Sequence, residues 1–353
     1  MSTTYQNLKD ILSSGIYEYF FSGADDSVTL RENELSWKRF QIVPRVMSSP
    51  RSVSLEIDFF EKKWPSPFLV APMAYLGMVH EHGDLGVALA SAAQQFGFIL
   101  SCHATTPLEL ISSHFLREEL RGPLWFQFYP YGSHAEWLSL ISRVQRAGYE
   151  ALVVTVDAPV KWTPKAAIDA GFSVPANCPQ PNLSGVPPRG SLTDVLKQAF
   201  SWNDLKWLRE KCSLPIVIKG VLNPEDASRL CDESLCDAII VSNHGGRVID
   251  RVIPTAYVLK EIVASVANRV KVLVDSGIRS AHDVAVALAL GADAVLIGRP
   301  VVAALAEGGA QGVAHLFSRW RDELSAIMAV CGFSTISDFK LNIDIRWPKE
   351  HLI

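Results

Sequence analysis

A histidine followed by two glycines and an arginine, in the stretch SNHGGRVID (Ser242 to Asp250), is the densest group of chemistry-bearing residues in this chain. An imidazole titrates near neutral pH and is the side chain most often used to take a proton from a substrate. The glycines behind His244 let the backbone turn sharply and let a flat ligand approach closely. The guanidinium of Arg247 is a planar fork suited to a carboxylate. Taken alone, such a stretch is more often a structural turn, and it gains weight only from its company. That company includes residues 273–300, LVDSGIRSAHDVAVALALGADAVLIGRP. The small Ser276-Gly277 turn, the helix start after it and the later Gly298-Arg299 follow the layout of a phosphate site, with backbone amides backed by Arg279 or Arg299. The alternative is a pair of plain tight turns with two surface arginines. Both turns are small and both carry arginine, which favours phosphate.

These residues need elements to position them. From Pro67 onward, short apolar runs alternate with longer amphipathic ones. The strand candidates cover 67–74, 96–104, 124–129, 150–159, 215–221, 237–243, 271–277 and 294–299. Each is nearly continuous in apolar character, as strands buried on both faces must be. Between them, GDLGVALASAAQQFG, EWLSLISRVQRAG and SAHDVAVALALG carry apolar residues at helical spacing. Thr106-Pro107, Ser201, Asn223-Pro224 and Ser280 read as helix starts. Eight strands alternating with helices point to an α/β fold, a closed (β/α)8 TIM barrel; an open doubly wound sheet is the alternative that strand count alone leaves standing. Residues 1–60 are expected to form a helical extension across one barrel end. Residues 160–200, after the fourth strand, read as a lid-like loop. The whole of 1–353 is read as a single domain.

In such a barrel, functional side chains lie at the C-terminal ends of strands. Gln127 and Tyr129 end the third candidate strand, Thr155 and Asp157 the fourth, and Lys219 the fifth. Ser242, Asn243 and His244 end the sixth, Asp275 the seventh, and Gly298 and Arg299 the eighth. A polar group at a buried strand end costs stability without a partner, so this concentration on one rim points to a site.

Composition narrows the class. The chain has 353 residues, 48% hydrophobic and 20% charged, enough to bury a large core. A net charge of -4 without a run of Lys or Arg argues against nucleic acid or an anionic membrane as partner. The six cysteines form no CxxC pair and have no matched histidine spacing, so neither a disulfide framework nor a metal site is expected. No run of eighteen apolar residues and no secretory leader is seen, and the protein is expected to be cytoplasmic.

The motifs SNHGGR, VIKGV, TVDAP, WFQFY and GADAVLIGRP together resemble the FMN-dependent α-hydroxy acid oxidase and dehydrogenase family, whose members include glycolate oxidase, lactate oxidase and mandelate dehydrogenase. The resemblance runs from YEYFFSGADDSVTL to RDELSAIMAVCG, nearly the whole chain. It implies FMN as cofactor and oxidation of a 2-hydroxy acid to a 2-oxo acid. It implies that His244 is the base, that Asp157 orients it, and that Lys219 stands beside flavin N1 and C2=O. Arg247 is then the carboxylate clamp, and Tyr129 and Tyr19 the phenols that bond the substrate. Pro72, Met73, Ala74, Ser101, Gln127, Thr155 and Ser242 match flavin contacts. Asp275, Ser276, Gly277 and Arg279, with Gly298 and Arg299, match the ribityl and phosphate grip. O2 is the expected electron acceptor and a homo-oligomer the expected assembly. FAD fits less well, for no GxGxxG stretch marks a second nucleotide half.

Two positions depart from the family pattern. Pro164 stands where a second carboxylate-binding arginine is usual, leaving Lys161 or Lys165 as a substitute point charge. His103 stands where glycolate oxidase has tryptophan, which makes the pocket wall more polar. The 160–200 segment also reads shorter than usual. Together they imply that glycolate and lactate are poor substrates and that a larger, aromatic or conjugated hydroxy acid is preferred. The other readings are action on a carrier-bound or amide-blocked hydroxy acid, and a flavin-binding protein without catalysis. The last is disfavoured by a retained set of buried charges.

Overall fold

Eight short strands, too apolar to leave either face in water, pair side by side in parallel and close on themselves. The computed structural model describes residues 3–48, 50–159, 163–176, 178–186 and 191–347. In chain order, a 3-10 turn (Thr3–Asp10) precedes α1 (Ser14–Phe21), α2 (Val28–Lys38), β1 (Gln41–Val43) and a hairpin of β2 (Ile57–Phe59) and β3 (Lys62–Trp64). The barrel then runs β4 (Phe68–Val70), α3 (Gly83–Ala93), β5 (Gly97–Ser101), α4 (Leu108–Phe115), β6 (Leu124–Phe128), α5 (His134–Arg146) and β7 (Ala151–Thr155). After α6 (Lys165–Asp169), α7 (Leu192–Leu196) and α8 (Trp202–Lys211) come β8 (Ile216–Val221), α9 (Pro224–Asp232) and β9 (Ala238–Val241). The chain ends with α10 (Thr255–Val266), β10 (Lys271–Val274), α11 (Ala281–Ala289), β11 (Ala294–Ile297), α12 (Arg299–Cys331), α13 (Ile336–Asn342) and β12 (Asp344–Arg346). Strands β4 to β11 form the closed barrel, with β11 returning to pair with β4. Each of the eight expected strands is present, shorter at its ends than its apolar run.

Alternation along the strands explains why the site lies where it does. Every second side chain points into the barrel. The lower interior is filled by Leu69, Ile99, Trp125, Val153, Val217, Ile240, Leu273 and Leu296. Two residues further along, the same faces carry Ala71, Ser101, Gln127, Thr155, Lys219, Ser242, Asp275 and Gly298. The barrel is therefore apolar at its N-terminal end and polar at its C-terminal end.

The residues before β4 close both ends, where the sequence reading placed them across one. Phe59 and Trp64 of the hairpin stack at 4.0 Å and pack against Trp125, plugging the N-terminal end. Helices α1 and α2 lie at the other end, where the Trp37 indole donates to the Ser276 carbonyl at 2.9 Å.

Ser201, Asn223 and Ser280 cap their helices as expected, each side-chain oxygen accepting a backbone N–H. Helix α4 also starts where expected, directly after Thr106-Pro107, but its cap is not local. Pro107 is the cap residue and has no side-chain oxygen; Asn182 instead accepts the Leu108 N–H at 2.9 Å and donates to the Thr106 carbonyl at 2.8 Å. The described part of 160–200 is thereby tied to the rim. All six cysteines are free thiols. Among the described residues, no helix is long and apolar enough to cross a membrane, and no cluster of three or more His, Cys, Asp or Glu is placed to hold a metal.

Candidate active site

His244 follows β9 in a left-handed backbone conformation, φ 58°, which an L-residue adopts only when its surroundings hold it there. Its Nδ1 lies 2.8 Å from Asp157 Oδ1. Burial pushes the Asp157 carboxyl up, but His244 and Lys219 outweigh that and hold it below the usual carboxylate range. An ionised carboxylate only accepts, so Nδ1 carries a hydrogen, and in the neutral imidazole Nε2 is the nitrogen with the lone pair. Room for Asp157 comes from Gly220, φ 112°, where a Cβ would stand 2.5 Å from the Asp157 Cβ. The β8–β9 register slips at that same residue.

Lys219 is buried beside this pair. Its ammonium donates to Ser242 Oγ at 2.8 Å and lies 3.2 Å from Asp275 Oδ2. Burial favours the neutral amine, yet Asp275 and then Asp157 hold the lysine above its ordinary value. Ser242 Oγ also accepts the His244 N–H at 3.0 Å. Ser242 is fully buried and does not line the cavity, so it braces Lys219 and His244 where a direct flavin contact was expected.

Above these residues opens a cavity of about 190 Å³ that widens into an open mouth. Pro72, Met73, Ala74, Ser101, Gln127, Thr155, Lys219, Asp275, Ser276, Gly277, Gly298 and both Arg279 and Arg299 line it, as expected of cofactor contacts. Two lining groups fit a flavin in particular. Gln127 Nε2 and Thr155 Oγ1 are buried without a hydrogen-bond partner among the described residues. Such groups cost stability unless a ligand meets them. An isoalloxazine edge of alternating carbonyl and nitrogen supplies what they lack.

Arg279 and Arg299 meet at the far end. Burial, then repulsion from Arg279 and Arg247, depresses the Arg299 basicity far below its ordinary value. That excess of positive charge beside the α12 N-terminus suits a phosphate dianion. The arginines are nevertheless not free forks. Arg299 donates to the carbonyls of Phe20, Gly245 and Ser22, each at 2.9 Å. Arg279 donates to Glu34 Oε1 at 2.8 and 3.1 Å. Ser276 spends its hydroxyl on Asp275, Asn243 and Gly245, which leaves its backbone for the ribityl and phosphate grip.

The substrate side is aromatic. Tyr19 and Tyr129 both line the cavity, and burial raises both phenols, so each stays a donor. Tyr19 stacks on Phe172 at 4.1 Å, and the Arg247 guanidinium sits 4.7 Å over its other side. Arg247 is held by the Tyr19 and Phe20 carbonyls, with its remaining donors beside the cavity. His103 bridges two phenols, with Tyr75 at 3.3 Å from Nδ1 and Tyr131 at 3.2 Å from Nε2. Tyr75, Tyr131, Ala158, Thr163 and Val248 also line the cavity and were not singled out from sequence. Tyr131 lay two residues beyond Tyr129 on the same rim, a signal that was readable. Lys165 does not replace the missing arginine: its ammonium pairs with Asp169 at 2.6 Å and its side chain is 75% exposed. Lys161 lies outside the described residues.

A deep cavity on a (β/α)8 barrel, with an imidazole–carboxylate pair, a buried lysine and an arginine cluster, defines a flavin-dependent oxidoreductase. The chain belongs to the FMN-dependent dehydrogenase family, whose model it matches over residues 8–344. It is 37% identical over 348 residues to an L-lactate oxidase from Nostoc sp., covering 95% of this chain and 94% of that one. It is 36% identical over 345 residues to glycolate oxidase 1 of Oryza sativa subsp. indica, covering 94% and 91%. A mandelate oxidase variant solved with an FMN adduct superposes with a TM-score of 0.87 at 32% identity, covering 96% of this chain and 97% of that one. FMN is the cofactor.

Proposed function

We propose that this protein oxidises a 2-hydroxy acid with dioxygen as acceptor, RCH(OH)COO⁻ + O2 → RC(O)COO⁻ + H2O2. The observation that carries the reading is the His244–Asp157 pair, 2.8 Å apart, beside the cavity that Arg247 and Lys219 also line. Bound FMN supplies the two-electron acceptor. Arg247, with the phenols of Tyr19 and Tyr129, holds the substrate carboxylate. His244 Nε2 takes a proton from the substrate, and Asp157 stabilises the imidazolium that results. Lys219, charged and ion-paired, stabilises negative charge that develops beside it.

The relatives are named for lactate, glycolate and mandelate, whose substituents run from hydrogen to phenyl. We assign this chain a larger substituent than hydrogen or methyl. Among the described residues, Arg247 is the guanidinium that faces the acid group; Pro164 provides none and Lys165 is turned to solvent. The wall of Tyr75, His103 and Tyr131 offers aromatic faces with hydrogen-bonding edges. Steady-state kinetics with glycolate, lactate and mandelate test this. Mandelate should have the highest kcat/KM, and Lys165→Ala should change it less than about twofold. Efficient turnover of glycolate or lactate that is lost in Lys165→Ala refutes the assignment. We read 1–353 as one domain and, from six free thiols, place it in the reducing cytoplasm. Val46, Met47 and Leu341 are exposed apolar side chains, and we read the protein as a homo-oligomer, which light scattering would test.

A further inference from the structure

Ser276 is a serine in a place that suits glycine. It follows β10 at φ 72°, in the left-handed region, and Gly277 follows it at φ 92°. A side chain here is strained unless its contacts hold it. The hydroxyl makes three contacts, which use its one hydrogen and both lone pairs. It donates to Asp275 Oδ1 at 2.7 Å, and it accepts the N–H of Gly245 at 3.0 Å and of Asn243 at 3.4 Å. Those two amides flank His244.

The contacts close a ring. The His244 N–H donates to Ser242 Oγ, Ser242 accepts Lys219 Nζ, and Lys219 pairs with Asp275. Asp275 accepts from Ser276, which returns to the amides on either side of His244. The Ser276 carbonyl is pinned from outside by Trp37 at 2.9 Å, and the neighbouring Asp275 carbonyl by the Thr255 hydroxyl at 2.7 Å. We propose that Ser276 is a positioning residue whose hydroxyl ties the His244 loop to the Lys219–Asp275 pair, so that base geometry and the charge of the lysine are set together. The proposal rests on His244 being the base.

Ser276→Gly tests it, because glycine accepts φ 72° without strain and removes the side chain, a single methylene with its hydroxyl. The variant should keep FMN and unfold at or above the wild-type temperature. In anaerobic stopped flow, its limiting rate of flavin reduction should fall by about 10- to 100-fold, with little change in substrate Kd, as expected for a displaced base. Its flavin midpoint potential should drop. Asp275, relieved of one donor, would draw more of the Lys219 charge. Wild-type rate and potential would overturn the proposal. So would a slower rate with an unmoved potential, which leaves a brace of the histidine loop alone. Loss of FMN or a lower unfolding temperature would overturn it too, by making the hydroxyl a fold element. If His244→Gln were reduced at the wild-type rate, the base assignment would fail, whereas the potential shift in Ser276→Gly would still stand.

Discussion

Replacing Asp157 with asparagine should cost the rate of substrate oxidation far more than it costs binding. The asparagine amide would keep the shape and still present an oxygen to Nδ1–H, so the imidazole should stay in place. What disappears is the charge that favours the imidazolium. For unit charges about 4 Å apart at an effective dielectric near 20, that attraction is about 4 kcal/mol. A hydrogen bond to a charged group, net of solvation, is worth about 1.5–3 kcal/mol. At about 1.4 kcal/mol per factor of ten, these figures bracket a loss of about 10- to 10³-fold. The buried Lys219 would remain without one of its carboxylates, which pushes the loss towards the upper figure. The assay is the rate of anaerobic flavin bleaching against substrate concentration, which separates the limiting rate from Kd. A limiting rate within threefold of wild type would refute the role given to Asp157. So would a loss carried entirely by Kd.

The same carboxyl predicts a pH dependence of stability. Its folded value is depressed, so its contribution is complete above the ordinary value near 3.9 and is lost as pH falls through the folded value. The unfolding-temperature gap between wild type and Asp157→Asn should therefore narrow as pH falls below about 4; a gap that does not narrow in acid would contradict it. Lys219 is shifted the other way, upward, so its contribution persists below its ordinary value near 10.4 and is lost only in stronger alkali. Arg247→Lys should raise substrate Kd by about 10- to 100-fold with FMN retained, because a point charge replaces a planar fork. An unchanged Kd would show that the carboxylate is held elsewhere.

Most of the architecture was legible because it depends on local pattern. Runs such as AIIV and KVLV are apolar at every position, or at all but the first, and only a strand buried on both faces explains that at such a length. The pairing of His244 with Asp157 was also within reach, since both stand two residues beyond an inward-facing strand residue. Less legible were contacts set by side-chain direction across long separations. The α4 cap comes from Asn182, 74 residues after the amide it accepts. The N-terminus of α2 is capped by Asp250, which accepts the N–H groups of Val28 and Thr29 at 3.1 and 2.7 Å. Ser27, which directly precedes α2, is left-handed and makes no such bond. The sequence marks Arg279 and Arg299 as anion binders, but not that Glu34 and three carbonyls already engage them. Likewise nothing local to His103 shows that it lies between Tyr75 and Tyr131, since three separate strand ends must converge first.

Anaerobic reduction of the purified holoprotein by a 2-hydroxy acid, in wild type and in His244→Gln, addresses the central claim most directly. The wild-type flavin should bleach and yield one 2-oxo acid per FMN. His244→Gln should keep its flavin spectrum and bleach about 10²- to 10⁴-fold more slowly, the usual worth of a general base. Bleaching of the variant at the wild-type rate would contradict the account, as would a wild-type flavin that no 2-hydroxy acid reduces.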